Sequence, residues 1–401
     1  MINISILGYG TVGSGVVEVL NTNHESIAVK AGQPINVKYI LDLRDFPGDP
    51  MEDKVVHDYQ IIVNDPEIDI IVETMGGVNP AYQFVKQALE AGKSVCTSNK
   101  ELVAKHGAEL LEIAKEKDIN FLFEASVGGG IPIIRPLNQS LTADEIEEIT
   151  GILNGTTNYI LTKMSAEDQD FETALKDAQD KGYAERNPEA DVEGYDTCRK
   201  IAILSSLAYG SQVDYEDIYT EGITKITKTD MVYAKQLDAS IKIVGSSRRD
   251  GDKIVAFVAP MMVNTENPLY NVNDVFNGIF VKGNVLGDTM FYGKGAGKLP
   301  TASAVMADVI DAAKHKGTNI MTIWSKDKLH LQKFEDAKHR FFVRVKESDI
   351  DKVLEYFPSA TKVDAGVKGE FGFITSLMSE KEFAEKSASL DNMLSRIRVA
   401  F

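Results

Sequence analysis

The sequence predicts an α/β chain that opens on a doubly wound parallel sheet and ends in a small ferredoxin-like unit. Three observations carry this. Short apolar runs alternate with longer helical stretches from Ile4 to Phe123, the pattern of βαβ units whose helices cover both faces of a parallel sheet. A glycine motif, Gly8-Tyr9-Gly10-Thr11-Val12-Gly13, stands between the first strand and the first helix. From residue 338 onward the apolar pattern reads β-α-β-β-α-β, the ferredoxin-like order.

Taken in order, 4–7 is a short buried strand and 16–20 continues as a helix after the glycines. A second strand falls at 37–41 and a third at 68–73, followed by an amphipathic helix over 80–91 that stops at Gly92. Then come a strand at 94–97, a helix over 101–117 and a strand at 120–123. The glycine motif fits G-x-G-x-x-G in its required setting. Gly8 permits the tight turn, Gly10 lets a pyrophosphate reach the backbone, and Gly13 lets helix and strand pack closely, so a Rossmann-type dinucleotide site over Gly8, Gly10, Thr11, Val12 and Gly13 is expected. The second strand ends in Asp42-Leu43-Arg44. Asp42 can hold a ribose hydroxyl pair and Arg44 a 2′-phosphate, so NAD and NADP both stay open; either side chain can equally be a loop charge.

The 401 residues carry 43 Lys+Arg against 60 Asp+Glu, a net charge of −17. That length suits two to three domains at roughly 100–200 residues each. The acidic balance argues against nucleic acid or an anionic membrane surface as partner, since both need clustered Lys and Arg. Two cysteines, Cys96 and Cys198, cannot build a disulfide framework. Met1 runs directly into an apolar strand, without a basic leader, and no apolar run approaches the ~20 residues of a membrane span; a cytoplasmic protein is expected.

Past Phe123 the chain reads Glu124-Ala125-Ser126-Val127-Gly128-Gly129-Gly130-Ile131-Pro132. A carboxylate ahead of exposed carbonyls can hold a small hard cation, while a tight crossover is the plainer use of three glycines. Asn154-Gly155-Thr156-Thr157-Asn158 is a polar turn after an apolar strand, suited to capping a helix or touching a ligand. Several acids between Gly182 and Asp196 precede a helix over 196–209, on which Asp196, Lys200, Leu204 and Leu207 share one face. An exposed ion pair is the usual reading of such spacing. Here the pair continues the apolar stripe, which suggests a cleft wall and a lysine able to donate a proton or polarise a carbonyl. Cys96 in Ser94-Val95-Cys96-Thr97-Ser98-Asn99 superficially resembles the nucleophile of phosphorylating aldehyde dehydrogenases. None of the six histidines lies in a motif that looks like its base, and a small buried hydrophobe is the better reading.

Together these segments resemble homoserine dehydrogenase, collinearly from Ile4 to about Asp308. The carriers are Gly8 to Gly15, Ser98-Asn99-Lys100-Glu101-Leu102-Val103-Ala104, Phe123 to Pro132, Gly151 to Asn158, Gly182-Tyr183-Ala184-Glu185, Asp191 to Asp196 with Lys200, and Tyr292 to Gly297 leading to Pro300-Thr301-Ala302-Ser303-Ala304. The resemblance implies reversible reduction of L-aspartate 4-semialdehyde to L-homoserine with NADPH or NADH, in threonine and methionine biosynthesis. It implies Lys200 as proton donor and Lys100 as a second lysine contacting the cofactor. It assigns Glu185, Asp191 and Asp196 to the substrate, and Gly155 and Gly295 to the dinucleotide. Glu124 with the carbonyls of Val127, Gly129 and Ile131 would form a structural sodium site. It also implies domains at 1–131 (completed by 293–316) and 132–292, the second an α+β catalytic and dimerisation domain, in a homodimer or homotetramer. The competing readings are a nucleotide-sensing Rossmann regulator and a Cys96-dependent phosphorylating semialdehyde dehydrogenase.

The tail, 338–401, resembles an ACT regulatory domain. Such domains bind an amino acid at a glycine-bearing turn after the first strand, whereas here that turn is Lys346-Glu347-Ser348-Asp349-Ile350. The missing glycine favours a scaffold over a threonine sensor.

Overall fold

The computed structural model describes residues 1–401. It divides into two compact units, one of residues 1–145, 202–214 and 293–329, the other of 146–201, 215–292 and 330–401. No helix is long and apolar enough to cross a membrane.

The first unit is built on six parallel strands: β1 (Ile2–Leu7), β2 (Ile35–Leu41), β3 (Val55–Val56), β4 (Ile70–Glu73), β5 (Ser94–Thr97) and β6 (Phe121–Leu122). Their spatial order, β3-β2-β1-β4-β5-β6, is the doubly wound one, and it reverses between β1 and β4. Every residue of β4 and β5 is buried. Coverage on both faces is why these strands read as unbroken runs in place of an alternating pattern. Helix α1 (Thr11–Thr22) follows β1 and helix α2 (Lys100–Glu116) follows β5. A late helix, Lys298–Lys314, returns to this unit and packs Val305, Met306 and Val309 against Ile4, Ile6, Val16 and Val72.

The second unit is organised by an eleven-stranded mixed sheet. Its main strands are β7 (Ile146–Ile152), β8 (Ala239–Asp250), β9 (Lys253–Asn264), β10 (Phe276–Gly283), β11 (Gly287–Lys294), β12 (Lys338–Lys346), β13 (Thr361–Val363), β14 (Glu370–Ile374) and β15 (Met393–Val399). They lie in the order β11-β10-β7-β8-β9-β15-β12-β14-β13. The long β8–β9 hairpin closes at Gly251, whose positive φ of 62° the tight turn requires. Helix α3 (Gly155–Ala166) follows β7, and helix α4 (Tyr195–Tyr209) carries the Asp196–Lys200 pair.

The tail has the ferredoxin-like order: β15-β12-β14-β13, antiparallel throughout, with helices Ile350–Tyr356 and Glu380–Ser387. Its sheet continues that of the rest of the unit, because Met261 and Met262 of β9 pair in parallel with Arg398 and Val399 of β15. An ion network sits at the seam. Arg398, only 1% exposed, forks onto Glu380 at 2.6 and 2.9 Å and reaches Glu221 at 2.7 Å, where Arg396 also bonds. The stacked rings of Tyr219 and Phe334 lie beneath its guanidinium.

Candidate active site

The cofactor elements gather where the parallel strands of the first unit end. Gly8, Asp42, Thr74 and Ser98 each follow a strand and so share the carboxyl edge of the sheet, the place where doubly wound folds bind ligands. Gly8 has φ of 93°, and a Cβ on Gly13 would stand 2.0 Å from the Gly8 carbonyl oxygen. Both glycines are therefore required by the turn itself. Gly10 differs: nothing lies within 4 Å of where its Cβ would be. It is the N-cap of α1 and offers no side chain to the first amides of that helix, which leaves them for a phosphate. This arrangement fits a dinucleotide.

At the end of β2, Asp42 and Arg44 are joined. The Arg44 guanidinium donates to both carboxylate oxygens, at 2.9 and 3.0 Å, and Asp42 also accepts from the Tyr9 amide at 2.8 Å. The guanidinium holds Asp42 well below the usual carboxylate range. Lys100 opens α2, whose N-cap Asn99 accepts from the Leu102 amide at 3.1 Å. Glu73, which the sequence offered only as the last residue of a strand, is a buried acid at this same edge. It accepts from Thr97 Oγ1 at 2.5 Å and from the Met75 amide at 2.8 Å, and burial pushes it up.

In the second unit, Lys200 Nζ lies 2.8 Å from Asp196 Oδ2 and donates to the Leu153 carbonyl at 2.7 Å. Leu153 immediately precedes Asn154, which the sequence showed only as part of a polar turn. Asn154 Nδ2 donates to Asp191 Oδ1 at 2.7 Å and to Asp196 Oδ2 at 2.9 Å, while its Oδ1 caps α3 through the Thr157 amide. Asp191 and Asp196 thus converge on one asparagine, and Lys200 joins them through Asp196. Glu185 does not join them through any such bond; it is exposed, on a stretch held by Gln179 at the Glu185 carbonyl. Gly155 is pressed by a loop, since a Cβ there would lie 2.8 Å from the Val275 oxygen. That loop is pinned by Asn158, which donates to the carbonyls of Val272, Asp274 and Phe276, and by the fully buried Lys242, which donates to Val272 O and Asn273 Oδ1. Burial pulls Lys242 down to about 8.

The Glu124 segment, in the first unit, is tied down by its own backbone. Glu124 accepts from the amides of Ile133, Ile134 and Arg135 at 2.6, 2.8 and 2.8 Å, and its own amide donates to Asp308. Arg135 bonds Asp308 and Asp311 and approaches Glu124 at 3.8 Å. The three glycines have a packing reason too: a Cβ on Gly129 would stand 2.3 Å from the Gly295 oxygen. The carboxylate already faces three amides and a guanidinium, so its surroundings fit a structural anchor and give no particular support to a cation.

Two family models divide the chain between them, one for the homoserine dehydrogenase NAD-binding domain at residues 8–124 and one for homoserine dehydrogenase at 132–310. The chain is 40% identical to the homoserine dehydrogenase of Helicobacter pylori over 397 residues, covering 98% of this chain and 88% of that one. The chain belongs to the homoserine dehydrogenase family. The Bacillus subtilis homoserine dehydrogenase is 42% identical over 321 residues, 78% of this chain and 73% of that protein. The crystal structure of a Thiobacillus denitrificans homoserine dehydrogenase superposes with a TM-score of 0.91 at 35% identity, covering 99% and 98% of the two chains. A hyperthermophilic archaeal homoserine dehydrogenase in complex with NADPH superposes at 0.67 with 29% identity, over 78% of this chain and 97% of that one. As a homoserine dehydrogenase, the chain is an NAD(P)-dependent oxidoreductase of amino-acid biosynthesis. The thiol alternative finds no support in the geometry: Cys96 is fully buried in a central strand, and burial raises its pKa well above the ordinary thiol value.

Proposed function

We propose that the chain interconverts L-aspartate 4-semialdehyde and L-homoserine with Lys200 as the proton donor. The observation that carries this is the Asp196–Lys200–Leu153 arrangement, which holds the ammonium in a fixed place on α4. A bound nicotinamide supplies the hydride. As charge grows on the carbonyl oxygen, Lys200 stabilises it and then protonates the alkoxide. Asp191 and Asp196, with Glu185, receive the substrate's ammonium, and Lys100 contacts the cofactor together with Gly155 and Gly295. Replacing Lys200 by Ala should abolish semialdehyde reduction while reduced cofactor still binds, seen by fluorescence of the nicotinamide. Normal turnover by that variant would sink the assignment.

The finer expectations fit around this reading. NADP and NAD are both served by the joined Asp42–Arg44 pair. Sodium has no step to perform. The tail acts as a scaffold that extends the sheet, with Asp349 of its first turn already engaged by Asn392 at 2.8 Å, and a titration with threonine decides between this role and amino-acid sensing. The open groove of about 540 Å³ over Val244, Phe257, Met261 and Phe280 takes a second copy of the chain, since homodimer contacts bury apolar sheet surface of this kind.

A further inference from the structure

We propose that Asn277 is a catalytic residue, its side-chain amide donating a second hydrogen bond to the substrate oxygen that Lys200 protonates. Asn277 lies in β10, is 1% exposed, and neither its amide oxygen nor its amide nitrogen has a hydrogen-bond partner. A buried amide with both ends unpaired carries a cost that a leucine of similar size would avoid. The fold alone gives no reason for it.

Its direction follows from strand register. The next residue, Gly278, faces the other side of the sheet: a Cβ there would meet Met290 and Val272. Asn277 therefore shares a face with Ile279, two residues on. Ile279 pairs with Gly151, and Gly151 with Gly245. A Cβ on Gly245 would meet Thr197 at 3.0 Å and Ile201 at 3.2 Å, so this is the face on which α4 lies. Gly278 pairs with Ile152. One step further along the same register places Asn277 beside Leu153, whose carbonyl takes Lys200 Nζ at 2.7 Å. An unpaired donor is thus set on the α4 side of the sheet, next to the residue that anchors the lysine.

The chemistry gives it a use. The oxygen becomes anionic as hydride arrives, and a preorganised neutral donor beside the ammonium binds that state better than the carbonyl before it. This inference rests on the Lys200 reading, and one panel separates the two. Asn277→Leu should lower kcat by roughly 100-fold, the loss typical of a missing oxyanion donor. Its KM for homoserine should stay within threefold and its melting temperature should not fall. Asn277→Asp, which exchanges the donor for an acceptor at equal size, should lose kcat as severely and decides the matter if the leucine variant fails to fold. Wild-type kcat in either folded variant, or a rise in KM alone, overturns the assignment. If Lys200→Ala is dead and Asn277→Leu is normal, only this inference fails; if Lys200→Ala turns over, the reading beneath it fails as well.

Discussion

Replacing Asn154 by Ser tests how the substrate half is held together. Serine is as good an N-cap as asparagine, so the bond to the Thr157 amide that starts α3 can be remade. The two donations from Nδ2, to Asp191 at 2.7 Å and Asp196 at 2.9 Å, cannot. A hydrogen bond to a charged group contributes about 1.5–3 kcal/mol. Asp196 keeps Lys200 at 2.8 Å, while Asp191 loses the donor that fixes it beside Asp196. If the worth of one such bond reaches the barrier, kcat/KM falls by roughly 10- to 150-fold, at about 1.4 kcal/mol per tenfold. Folding stability should fall too, by up to about 1.5–3 kcal/mol for each lost donation, although the cap itself survives. The assay follows nicotinamide absorbance with homoserine and oxidised cofactor at alkaline pH, paired with a thermal melt. An Asn154→Ser enzyme with wild-type kcat/KM would show that the residue is only a helix cap and that the pairing of Asp191 with Asp196 does not matter to turnover.

Two further outcomes are expected. Lys242 titrates near 8 in the fold against its ordinary 10.5. Below pH 8 both folded and unfolded chains are protonated and the burial cost is fully present; between 8 and 10.5 the unfolded chain holds more protons, so stability rises with pH. Relative to Lys242→Met, the wild type should gain up to about 3 kcal/mol between pH 7 and 10.5 by urea unfolding, and a flat difference would refute the shift. In the first unit, Arg44→Ala should weaken NADP binding at least tenfold in calorimetric titration while leaving NAD within threefold, and equal losses for both would remove Arg44 from 2′-phosphate recognition.

What the sequence made legible follows local rules. β4 and β5 showed as apolar runs because both faces are covered, and the glycine turn showed because Gly8 and Gly13 have no alternative in that geometry. Asp196 and Lys200 are four residues apart on one helix, so their pairing could be read directly. Features set by distant chain were hidden. Asn154 meets its acids 37 and 42 residues away, and nothing in its own turn signals that. The tail read as a separate unit since its joins to the rest, the β9–β15 pairing and the Arg398–Glu221 ion pair among them, bring together residues far apart in sequence. Glu124 invited a cation because a carboxylate before glycines looks like a ligand. The amides that occupy it come from Ile133 to Arg135, past the point where the glycine signal ends.

The charge at the substrate half also has a consequence for selectivity. Asp191 and Asp196 are two carboxylates converging on a single neutral amide, with Lys200 the cation beside them. On the proposed reading the two carboxylates face the substrate's α-ammonium, an attraction that a low-dielectric surround strengthens. A plain aldehyde or alcohol of the same length offers them no such cation. Binding energy from the ammonium, a group that takes no part in the reaction, can then be used to seat the reacting oxygen against Lys200. On that reading the site prefers amino acids through the charge of Asp191 and Asp196. Neutralising that charge with Asp191→Asn should narrow the preference for homoserine over a non-amino alcohol mainly by worsening homoserine, because the alcohol never drew on that charge.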